Sequence, residues 1–431
     1  MSGMNRTGMC DPQQRGKDSD MRYFYVGTWK DDSRGLPGKI LVYALREHAV
    51  KVQEIVTGES VSQVRLDHQK RRLYAVTETR DGRSGICGGD LYEFAVEPDG
   101  MLRRIKLLPS GGAYPIDFAM LPGYLALVNH GSTTGRVCRT RQREDGSAEP
   151  YWEYDEASLV LYERDEEGSV GRMLDVYRFE GCGKIPFFQE SAAPHSVTAV
   201  GNRLFVPERG TDQTSVFEVT DGKLKKCGVL AARKGSGPRN AAVSSDGRDI
   251  YVVGEIEPVL FHYRTDGTAQ GESGASKSGA VWSAPLCRTV PVISQETASG
   301  LEKNPRSFKA PHPSAVLLSP DGRHVYVLTR SADMLTVFAR EEESGTLTAC
   351  AEHPLGGANP RAMLEYGREL YVVLMEEGSC AAFMIEDGNG MQVRKRSILE
   401  NIPGIAAVGM WDPEDSCTEG CGTEKTGGAE E

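Results

Sequence analysis

The repeat that decides the fold is clearest in HPSAVLLSPDGRHVYVLTRSADMLTVFAREEESGTLTACAEH, residues 312–353. This stretch contains four apolar runs, HPSAVLLSP, HVYVLTR, MLTVFAR and TLTACAEH, separated by the turn-forming segments DGR, SAD and EEESG. Runs of about 5–8 residues that are rich in β-branched and aromatic side chains are typical of strands, and helical periodicity is nearly absent. The sequence therefore predicts a unit of four short antiparallel strands.

A five-residue core of this unit occurs seven times along the chain. It begins with an aromatic or small residue, continues with apolar residues and ends before a turn. The seven copies are YVGTW (25–29), YAVTE (74–78), ALVNH (126–130), FVPER (205–209), YVVGE (251–255), YVLTR (326–330) and YVVLM (371–375). Four of the six intervals lie between 45 and 52 residues, and the other two are longer. Four strands at this spacing predict the blades of a β-propeller.

We therefore expect an all-β fold, a seven-bladed β-propeller with four-stranded antiparallel blades. This architecture lets 431 residues form one domain, although a single core rarely grows beyond about 250–300 residues, because each blade packs against two neighbours. A pair of β-sandwiches and a β-helix are the alternative architectures. A β-helix would show shorter and more uniform repeats.

The predicted domain organisation is a disordered leader at 1–20, a propeller at 21–411 and a disordered acidic tail at 412–431. The blades are expected near 21–58, 59–108, 109–186, 187–232, 233–306, 307–352 and 353–411. The apolar run IAAVGMW (405–411) follows the last unit and is expected to complete the ring. Two inserts lengthen the repeat: 135–158 between the second and third strands of blade 3, and the Gly/Ser-rich stretch 267–279 in blade 5.

The composition narrows the classes of partner. The net charge is −11, which argues against a nucleic-acid or anionic-membrane partner, and no apolar run approaches the 18 residues that span a bilayer. The first 20 residues contain no hydrophobic segment, so we expect a cytoplasmic protein, monomeric or homodimeric, with reduced thiols. Among the ten cysteines only Cys417 and Cys421 are close together, and they lack partner ligands for a metal.

Two positions in each unit should lie together on one face of the propeller, which we call the upper face. They are the start of the first strand, marked by proline and a variable residue, and the end of the second strand. The first-strand pairs are Pro115-Ile116, Pro194-His195, Pro238-Arg239, Pro313-Ser314 and Pro360-Arg361. The second-strand ends are Trp29, Glu78, His130, Arg209, Glu255, Arg330 and Met375.

Eight of these residues are charged or are histidines, and we call them the funnel residues. They are Glu78, His130, His195, Arg209, Arg239, Glu255, Arg330 and Arg361. Four arginines around one cavity repel each other unless carboxylates or a bound anion balance them, and two glutamates supply only part of that balance. The funnel is therefore predicted to bind a small anion, a carboxylate or a phosphate. At any one position a merely solvated side chain is the alternative, because propeller channels are wet.

Several motifs give the chain a family resemblance over about 21–411. They are YVGTW (25–29), RRLYAVTE (71–78), GGAYP (111–115), QESAAPHSV (189–197), VPERGTD (206–212), GSGPRNAAVSSDGRDIYVVGE (235–255), SPDGRHVYVLTR (319–330) and GGANPRAM (356–363). With these motifs the chain resembles the lactonase family of seven-bladed propellers. That family includes bacterial 6-phosphogluconolactonases of the propeller type and the fungal carboxy-cis,cis-muconate cyclase.

The resemblance also implies site residues. The His, two Arg and Glu proposed for the cyclase branch fall on His195, Arg239, Arg330 and Glu255. The chain departs from the family pattern at four nearby positions, which concern the substrate more than the fold. The family's first His, an Asp and two Asn are replaced here by Ala193, Glu208, Gly254 and Thr329.

The leading functional hypothesis is metal-independent hydrolysis of a sugar lactone, 6-phosphogluconolactone, without a cofactor. His195 would polarise the attacking water, and Glu255 would orient the water or the arginines, since guanidinium neighbours should make it a poor base. The remaining funnel residues are predicted to bind substrate: Arg239, Arg330, Arg361, Glu78, His130 and Arg209.

Three other functions remain open on the sequence alone. They are a muconate-type cycloisomerase, a non-catalytic binding propeller and a metal-dependent lactonase propeller, although the last needs a carboxylate/Asn cage that this Arg-rich ring does not supply. The insert of blade 3 is expected to hang over the upper face. Its arginines at 136, 139, 141 and 143 are candidates for capping the pocket, and a solvated loop is the alternative.

Overall fold

The computed structural model describes residues 21–131, 136–265, 282–384 and 394–413. These residues form seven four-stranded antiparallel sheets and one two-stranded hairpin, so the seven-bladed propeller predicted from the repeat is confirmed. The leader at 1–20, the insert at 267–279, Cys417, Cys421 and the tail beyond Pro413 lie outside the described residues. The helical elements within the described residues are a 3-10 turn at Asp32–Arg34 and the short helix α1 (Gln295–Ser299).

The strands follow the predicted units. In blades 1 to 4 the strands are β1 (Arg22–Thr28), β2 (Gly38–Leu45), β3 (Ala49–Gly58); β4 (Val61–Asp67), β5 (Arg72–Thr77), β6 (Asp90–Val96), β7 (Leu102–Pro109); β8 (Pro115–Leu121), β9 (Tyr124–Asn129), the insert hairpin β10 (Arg136–Gln142) and β11 (Ala148–Tyr154), β12 (Ala157–Arg164), β13 (Val170–Phe179); and β14 (Thr198–Val200), β15 (Arg203–Glu208), β16 (Gln213–Thr220), β17 (Lys223–Ala231). In blades 5 to 7 and the closing strand they are β18 (Pro238–Val243), β19 (Asp249–Gly254), β20 (Val259–Arg264), β21 (Leu286–Pro291); β22 (His312–Leu318), β23 (His324–Arg330), β24 (Met334–Arg340), β25 (Leu347–Pro354); β26 (Pro360–Tyr366), β27 (Glu369–Leu374), β28 (Ser379–Met384), β29 (Arg394–Leu399); and β30 (Ile405–Trp411).

The two ends of the propeller meet in blade 1. Strand β30 pairs antiparallel with β1, and the sheet order is β3-β2-β1-β30. The stretch 405–411 therefore completes the ring, as expected, but it does so as the innermost strand of blade 1 rather than as the end of blade 7. Hydrogen bonds between β1 and β30 join the two ends of the described chain and close the circle of blades.

The core is distributed between the blades. Seven clusters of buried residues can be distinguished among the described residues, and each lies between two neighbouring blades. The second strands are the most buried, because their two faces pack on both neighbours; Tyr251, Val252 and Val253 of β19 are fully buried. This explains why the second strand gives the strongest repeat in the sequence.

A tyrosine at the start of the five-residue core ties one blade to the next. The hydroxyl of Tyr25 donates to Gly100 O at 3.1 Å, that of Tyr251 donates to Gly345 O at 2.6 Å, and Tyr74 makes the equivalent bond to Gly168 O. All three glycines have a positive φ and lie in the turn between the third and fourth strands of the next blade. The repeated Tyr and the repeated glycine turn are thus two halves of one contact.

Candidate active site

Every innermost strand carries one extra residue near its upper end. In blade 5, Pro238 pairs with Gly254 and Asn240 pairs with Val253, so Arg239 has no partner on the neighbouring strand. Such a β-bulge bends the strand and re-aims the side chain, and bulges are frequent beside active sites. The residues at this position line the central channel in all seven blades: Ala406, Ser62, Ile116, His195, Arg239, Ser314 and Arg361.

The ends of the second strands are held next to these bulges by a repeated backbone bond. The amide of Glu255 donates to Gly237 O at 2.7 Å, and the amide of Glu78 donates to Ser60 O at 2.7 Å. The acceptor is the residue just before the innermost strand, except in blade 4, where it is Ala193, just before the isolated bridge between Pro194 and Glu208. The same arrangement holds Trp29, His130, Arg209 and Met375, whereas Arg330 lies opposite His312 in the β22–β23 ladder.

These two rings of residues surround the upper mouth of a central channel of about 580 Å³. The innermost strands line the channel along its length, and its lower part contains apolar side chains such as Met120, Leu318 and Met410. Arg65 and Asp117 also line this channel and pair with each other at 2.7 Å, whereas the arginines of the funnel lie at its upper end. Fields from charges in such a recess are less screened than those on an open surface.

Glu255 lies at the centre of one group of funnel residues. One carboxylate oxygen accepts a hydrogen bond from Arg330 Nη2 at 2.5 Å and lies 3.4 Å from Arg239 Nε. The other oxygen accepts a bond from Arg209 Nη1 at 3.1 Å. The side chain of Glu255 is only 5% exposed. Three guanidinium groups from blades 4, 5 and 6 therefore converge on one buried carboxylate.

The electrostatics of Glu255 follow from this convergence. Burial alone would raise the pKa of its carboxyl group, but Arg209, Arg239 and Arg330 outweigh burial and hold the pKa well below its ordinary value. Burial also lowers the pKa of the Arg239 guanidinium to about 9, which leaves it charged at neutral pH. Glu255 is consequently a permanent anion whose lone pairs are already engaged by cations.

Arg209 is fixed by groups on both sides. Its Nε donates to Phe188 O at 3.1 Å, and its Nη2 lies 3.1 Å from His130 Nε2. The other ring nitrogen of His130, Nδ1, lies 3.0 Å from Gly131 O and donates to it, so Nε2 is the acceptor for Arg209. Burial and the charge of Arg209 lower the pKa of His130 to about 3. His130 thus acts as a neutral support for an arginine.

His195 is the funnel residue with the fewest contacts. Its ring packs edge to face against His130 with the centroids 5.3 Å apart, and within the described ranges its imidazole has no hydrogen-bond partner. Burial and the nearby Arg239 hold the pKa of His195 well below its ordinary value. A neutral imidazole with free ring nitrogens is able to hydrogen-bond a water molecule or a substrate.

Glu78 and Arg361 lie in blades 2 and 7, away from the Glu255 group. Arg361 stacks on the ring of Trp29, with its guanidinium carbon 4.0 Å from the ring centroid. Its Nη2 is 3.8 Å from Glu78 Oε2, a charge contact that is too long for a hydrogen bond. Burial raises the pKa of Glu78, and Arg361, Arg239 and Arg209 only partly oppose that effect.

Comparison with known proteins assigns a family to this geometry. The family description "Lactonase, 7-bladed beta-propeller" matches residues 23–397. The chain belongs to the lactonase family of seven-bladed propellers. The family expected from the sequence motifs is therefore confirmed.

Individual members of the lactonase family are distant relatives. A 6-phosphogluconolactonase of Formosa agariphila is 24% identical over 350 residues, which are 78% of this chain and 84% of the relative. A 6-phosphogluconolactonase of Bacillus subtilis is 23% identical over 328 residues, 74% and 85% of the two chains. The solved structure of a periplasmic gluconolactonase of Pseudomonas aeruginosa superimposes with a TM-score of 0.70 at 21% identity and covers 91% of this chain and 99% of that one.

The residues that the lactonase motifs single out lie in one mouth of the channel. Arg239 and Arg330 contact Glu255 directly, and His195 lies beside His130, which contacts Arg209. Glu78 and Arg361 face the same mouth from the other side. The structure thus brings all eight funnel residues together, while the catalytic and binding roles assigned to them stay predictions.

Sequence reasoning missed two residues that support the Glu255 group. Phe188 accepts the Arg209 bond and stacks on the ring of His312, with centroids 5.4 Å apart. His312 Nδ1 lies 2.8 Å from Glu255 O, and its Nε2 lies 2.9 Å from Ser307 O. His312 directly precedes Pro313, the proline that marks blade 6. The repeat therefore selected Ser314, the residue after this proline, instead of His312. Phe188 lies in a non-repeating connection, where periodicity gives no information.

The insert of blade 3 forms the hairpin β10–β11, and its arginines pair away from the funnel. Arg139 pairs with Glu153, and Arg141 and Arg143 both pair with Glu149. Arg136 lies over the Trp152 ring and 4.0 Å from Glu190. The expectation that these arginines cap the pocket finds no support in these contacts.

Neither a metal-binding group of side chains nor a membrane-spanning helix is found within the described residues. No group of three or more His, Cys, Asp or Glu that could hold a metal ion is found within those ranges. None of the helices in the described part of the chain is long and apolar enough to cross a membrane.

Proposed function

We propose that this protein hydrolyses an anionic sugar lactone, 6-phosphogluconolactone to 6-phosphogluconate, in the funnel and without a metal. The observation that carries the proposal is the surplus of guanidinium groups at the channel mouth of a lactonase-family propeller. Four arginines face two glutamates there, and both histidines are neutral. A substrate that brings its own negative charge would complete the balance.

The arginines suit both charged parts of such a reaction. The substrate phosphate is present throughout, and the lactone carbonyl becomes an oxyanion when water attacks. Guanidinium groups that are locked in place before the reaction stabilise this developing charge without reorganising. Glu255, Phe188 and His130 provide that locking for Arg209, and Glu255 provides it for Arg330 and Arg239.

His195 has a supporting role in this proposal. Its neutral imidazole has free nitrogens and is expected to orient the attacking water through a hydrogen bond. Several relatives bear the name 6-phosphogluconolactonase, which supports the choice of substrate. The cytoplasmic location expected from the sequence remains a prediction, because a gluconolactonase of the same fold is periplasmic.

The direct test is hydrolysis of freshly prepared 6-phosphogluconolactone by the purified protein in a pH-stat with chelator present. We expect acid release well above the spontaneous rate, slower turnover of unphosphorylated gluconolactone, and a large loss for Arg330→Ala. A protein that is inactive on the lactone, or an Arg330→Ala variant as fast as the parent, contradicts the proposal. Loss of diene absorbance with a carboxymuconate would instead indicate the cycloisomerase.

A further inference from the structure

The two glutamates of the funnel differ in whether their oxygens are free. Both oxygens of Glu255 are engaged by guanidinium groups at 2.5 to 3.4 Å. No residue in the described part of the chain donates a hydrogen bond to the side chain of Glu78. Its Oε2 is enclosed by protein without any hydrogen-bond partner, although the side chain as a whole is 25% exposed.

The single cation next to Glu78 is held at a distance. Arg361 packs flat on Trp29 at 4.0 Å, and this stacking holds its Nη2 3.8 Å from Glu78 Oε2. The other charged groups that face Glu78 are Arg239 and Arg209, both of which are engaged with Glu255. Glu78 therefore points into a positively charged mouth with lone pairs that no protein group uses.

An enclosed carboxylate oxygen without a donor is costly unless a ligand or a water molecule supplies one. Single oxygens of Glu93, Asp155 and Glu365 also lack a hydrogen-bond partner among the described residues, whereas two other carboxylates are fully engaged. Buried Asp249 accepts bonds from His262 at 2.8 Å and Arg340 at 2.6 Å, and buried Glu208 accepts bonds from Thr211 and Gln213 at 2.7 and 3.0 Å. Glu78 differs from Glu93, Asp155 and Glu365 in its position, because its unpartnered oxygen lies in the channel mouth and faces Arg361, Arg239 and Arg209.

We propose that Glu78 is the catalytic carboxylate of the funnel and that Glu255 is a positioning residue. Glu78 takes a proton from the attacking water and later returns it to the leaving oxygen. Glu255 holds Arg209, Arg239 and Arg330 in place. This assignment rests on the lactone hydrolysis proposed above. It gives the proton transfer to Glu78, which sequence reasoning had placed among the substrate-binding residues, and it leaves Glu255 with the orientation of the arginines.

The reaction balances with one carboxylate as the proton carrier. Glu78 accepts a proton from water while the water oxygen forms a bond to the lactone carbonyl carbon. The carbonyl π electrons move to the carbonyl oxygen, and the guanidinium groups stabilise the resulting oxyanion. The carbonyl then re-forms, the ring C–O bond breaks, and the ring oxygen takes the proton from Glu78. The product is the open hydroxy acid, and Glu78 is again a carboxylate.

The proton affinities of the funnel groups agree with this choice. A general base is more effective when its pKa is close to the working pH. Burial raises the pKa of Glu78, whereas the pKa values of Glu255 and His195 lie well below their ordinary ranges. The pKa of Glu78 is therefore shifted in the direction that favours a general base, and those of Glu255 and His195 are shifted in the opposite direction.

The test compares Glu78→Gln and Glu255→Gln on 6-phosphogluconolactone over a range of pH. We expect Glu78→Gln to lower kcat by about 10²–10⁴-fold with little change in KM, the usual size of general acid–base catalysis. It should also remove the fall in kcat/KM at acidic pH, where the parent loses its base by protonation. Glu255→Gln should raise KM and keep that acidic fall, because it loosens the arginines.

Two further measurements separate catalysis from structure. Added formate should restore part of the activity of Glu78→Ala, since the small carboxylate can enter the space of the lost side chain. Glu257→Gln is the matched control, because Glu257 pairs with exposed Arg233 outside the funnel. We expect it to retain parental kinetics. Thermal unfolding of each variant shows whether it is folded.

The possible outcomes distinguish this assignment from the proposed function. A parent enzyme that hydrolyses the lactone while folded Glu78→Gln stays within threefold of it overturns the role of Glu78 and leaves the function standing. A parent without lactonase activity overturns both. A Glu78→Ala variant that formate does not rescue, with an unchanged acidic limb, also counts against the assignment.

Discussion

On both sides of the funnel, in blade 5 and in blade 2, a glutamate faces arginines, but the pKa of the glutamate shifts in opposite directions on the two sides. On the blade 5 side three guanidinium groups surround Glu255 within 3.4 Å, and the pKa of its carboxyl group falls well below the ordinary value. On the blade 2 side Arg361 remains 3.8 Å from Glu78, and the pKa of Glu78 rises. Burial is common to both, so the number and distance of the cations decide the outcome.

Under the proposed function, the Glu255 side of the mouth would serve as a rigid anion-binding frame, and Glu78 on the other side would exchange protons. Trp29 contributes to this difference between the two glutamates. Its ring stacks on the face of the Arg361 guanidinium, and this contact keeps Arg361 from a close ion pair with Glu78. In blades 4 to 6 the arginines contact the Glu255 carboxylate directly and hold its pKa well below the ordinary value.

The largest effect is expected from Glu255→Ala. Removing the carboxylate leaves three guanidinium groups facing each other, and breaking a buried ion pair typically costs about 3–5 kcal/mol. Urea unfolding should show this loss, and lactone hydrolysis should fall with it. The Glu257→Ala variant should differ from the parent by less than about 1 kcal/mol. If both variants are equally stable, the frame does not depend on Glu255.

A smaller loss is expected from Tyr251→Phe, far from the funnel. The change removes the bond to Gly345 O and the acceptor for Arg340 Nε at 2.9 Å, which should cost about 1–3 kcal/mol. Thermal unfolding measures the loss, and kcat/KM should stay within about twofold of the parent. Tyr43→Phe is the control, since its hydroxyl has no hydrogen-bond partner among the described residues. A parallel loss of activity in Tyr251→Phe would show that the funnel depends on the contacts between blades.

The Glu78→Gln variant should affect stability in the opposite direction to Glu255→Ala. Because the folded pKa of Glu78 is raised, its favourable contribution is complete below the unfolded pKa and is lost as the pH rises through the folded pKa. Glutamine does not titrate, so the variant should match or exceed the parent at neutral pH, by about 1.4 kcal/mol per unit of pKa difference. Urea unfolding at several pH values tests this. A variant that is less stable than the parent by the same amount at neutral and at acidic pH would contradict the raised pKa of Glu78.

The smallest effect is expected from the double variant Arg141→Gln, Arg143→Gln. Both arginines pair with Glu149 within the hairpin, and exposed ion pairs contribute about 0–1 kcal/mol. We expect stability and kcat/KM to remain close to those of the parent. A tenfold rise in KM would instead show that the hairpin takes part in binding the substrate.

Much of the fold could be predicted from the sequence because a propeller repeats its chemistry. The second strand is buried on both faces, so its apolar character recurs in every unit, as in Tyr251 and Val252. The turn glycines recur because the tyrosine of the preceding blade contacts them. The order of units also placed the two rings of residues on one face. The sequence also predicted that 405–411 completes the ring. What the repeat did not predict is that this strand pairs with β1 and becomes the innermost strand of blade 1, since that pairing joins residues from opposite ends of the chain.

The amino-acid sequence by itself determined seven units, four strands in each, and which side chains stand at the ends of those strands, because strand period and turn chemistry are local properties. Only the tertiary structure decided the partners of those side chains. The bulge re-aims Arg239 and Arg361, the packing of Phe188 fixes Arg209, and Trp29 keeps Arg361 from Glu78. These contacts join residues far apart along the chain. They place the nearest guanidinium nitrogens 3.8 Å from Glu78 and 2.5 to 3.4 Å from Glu255, and the pKa values of the two carboxyl groups shift in opposite directions.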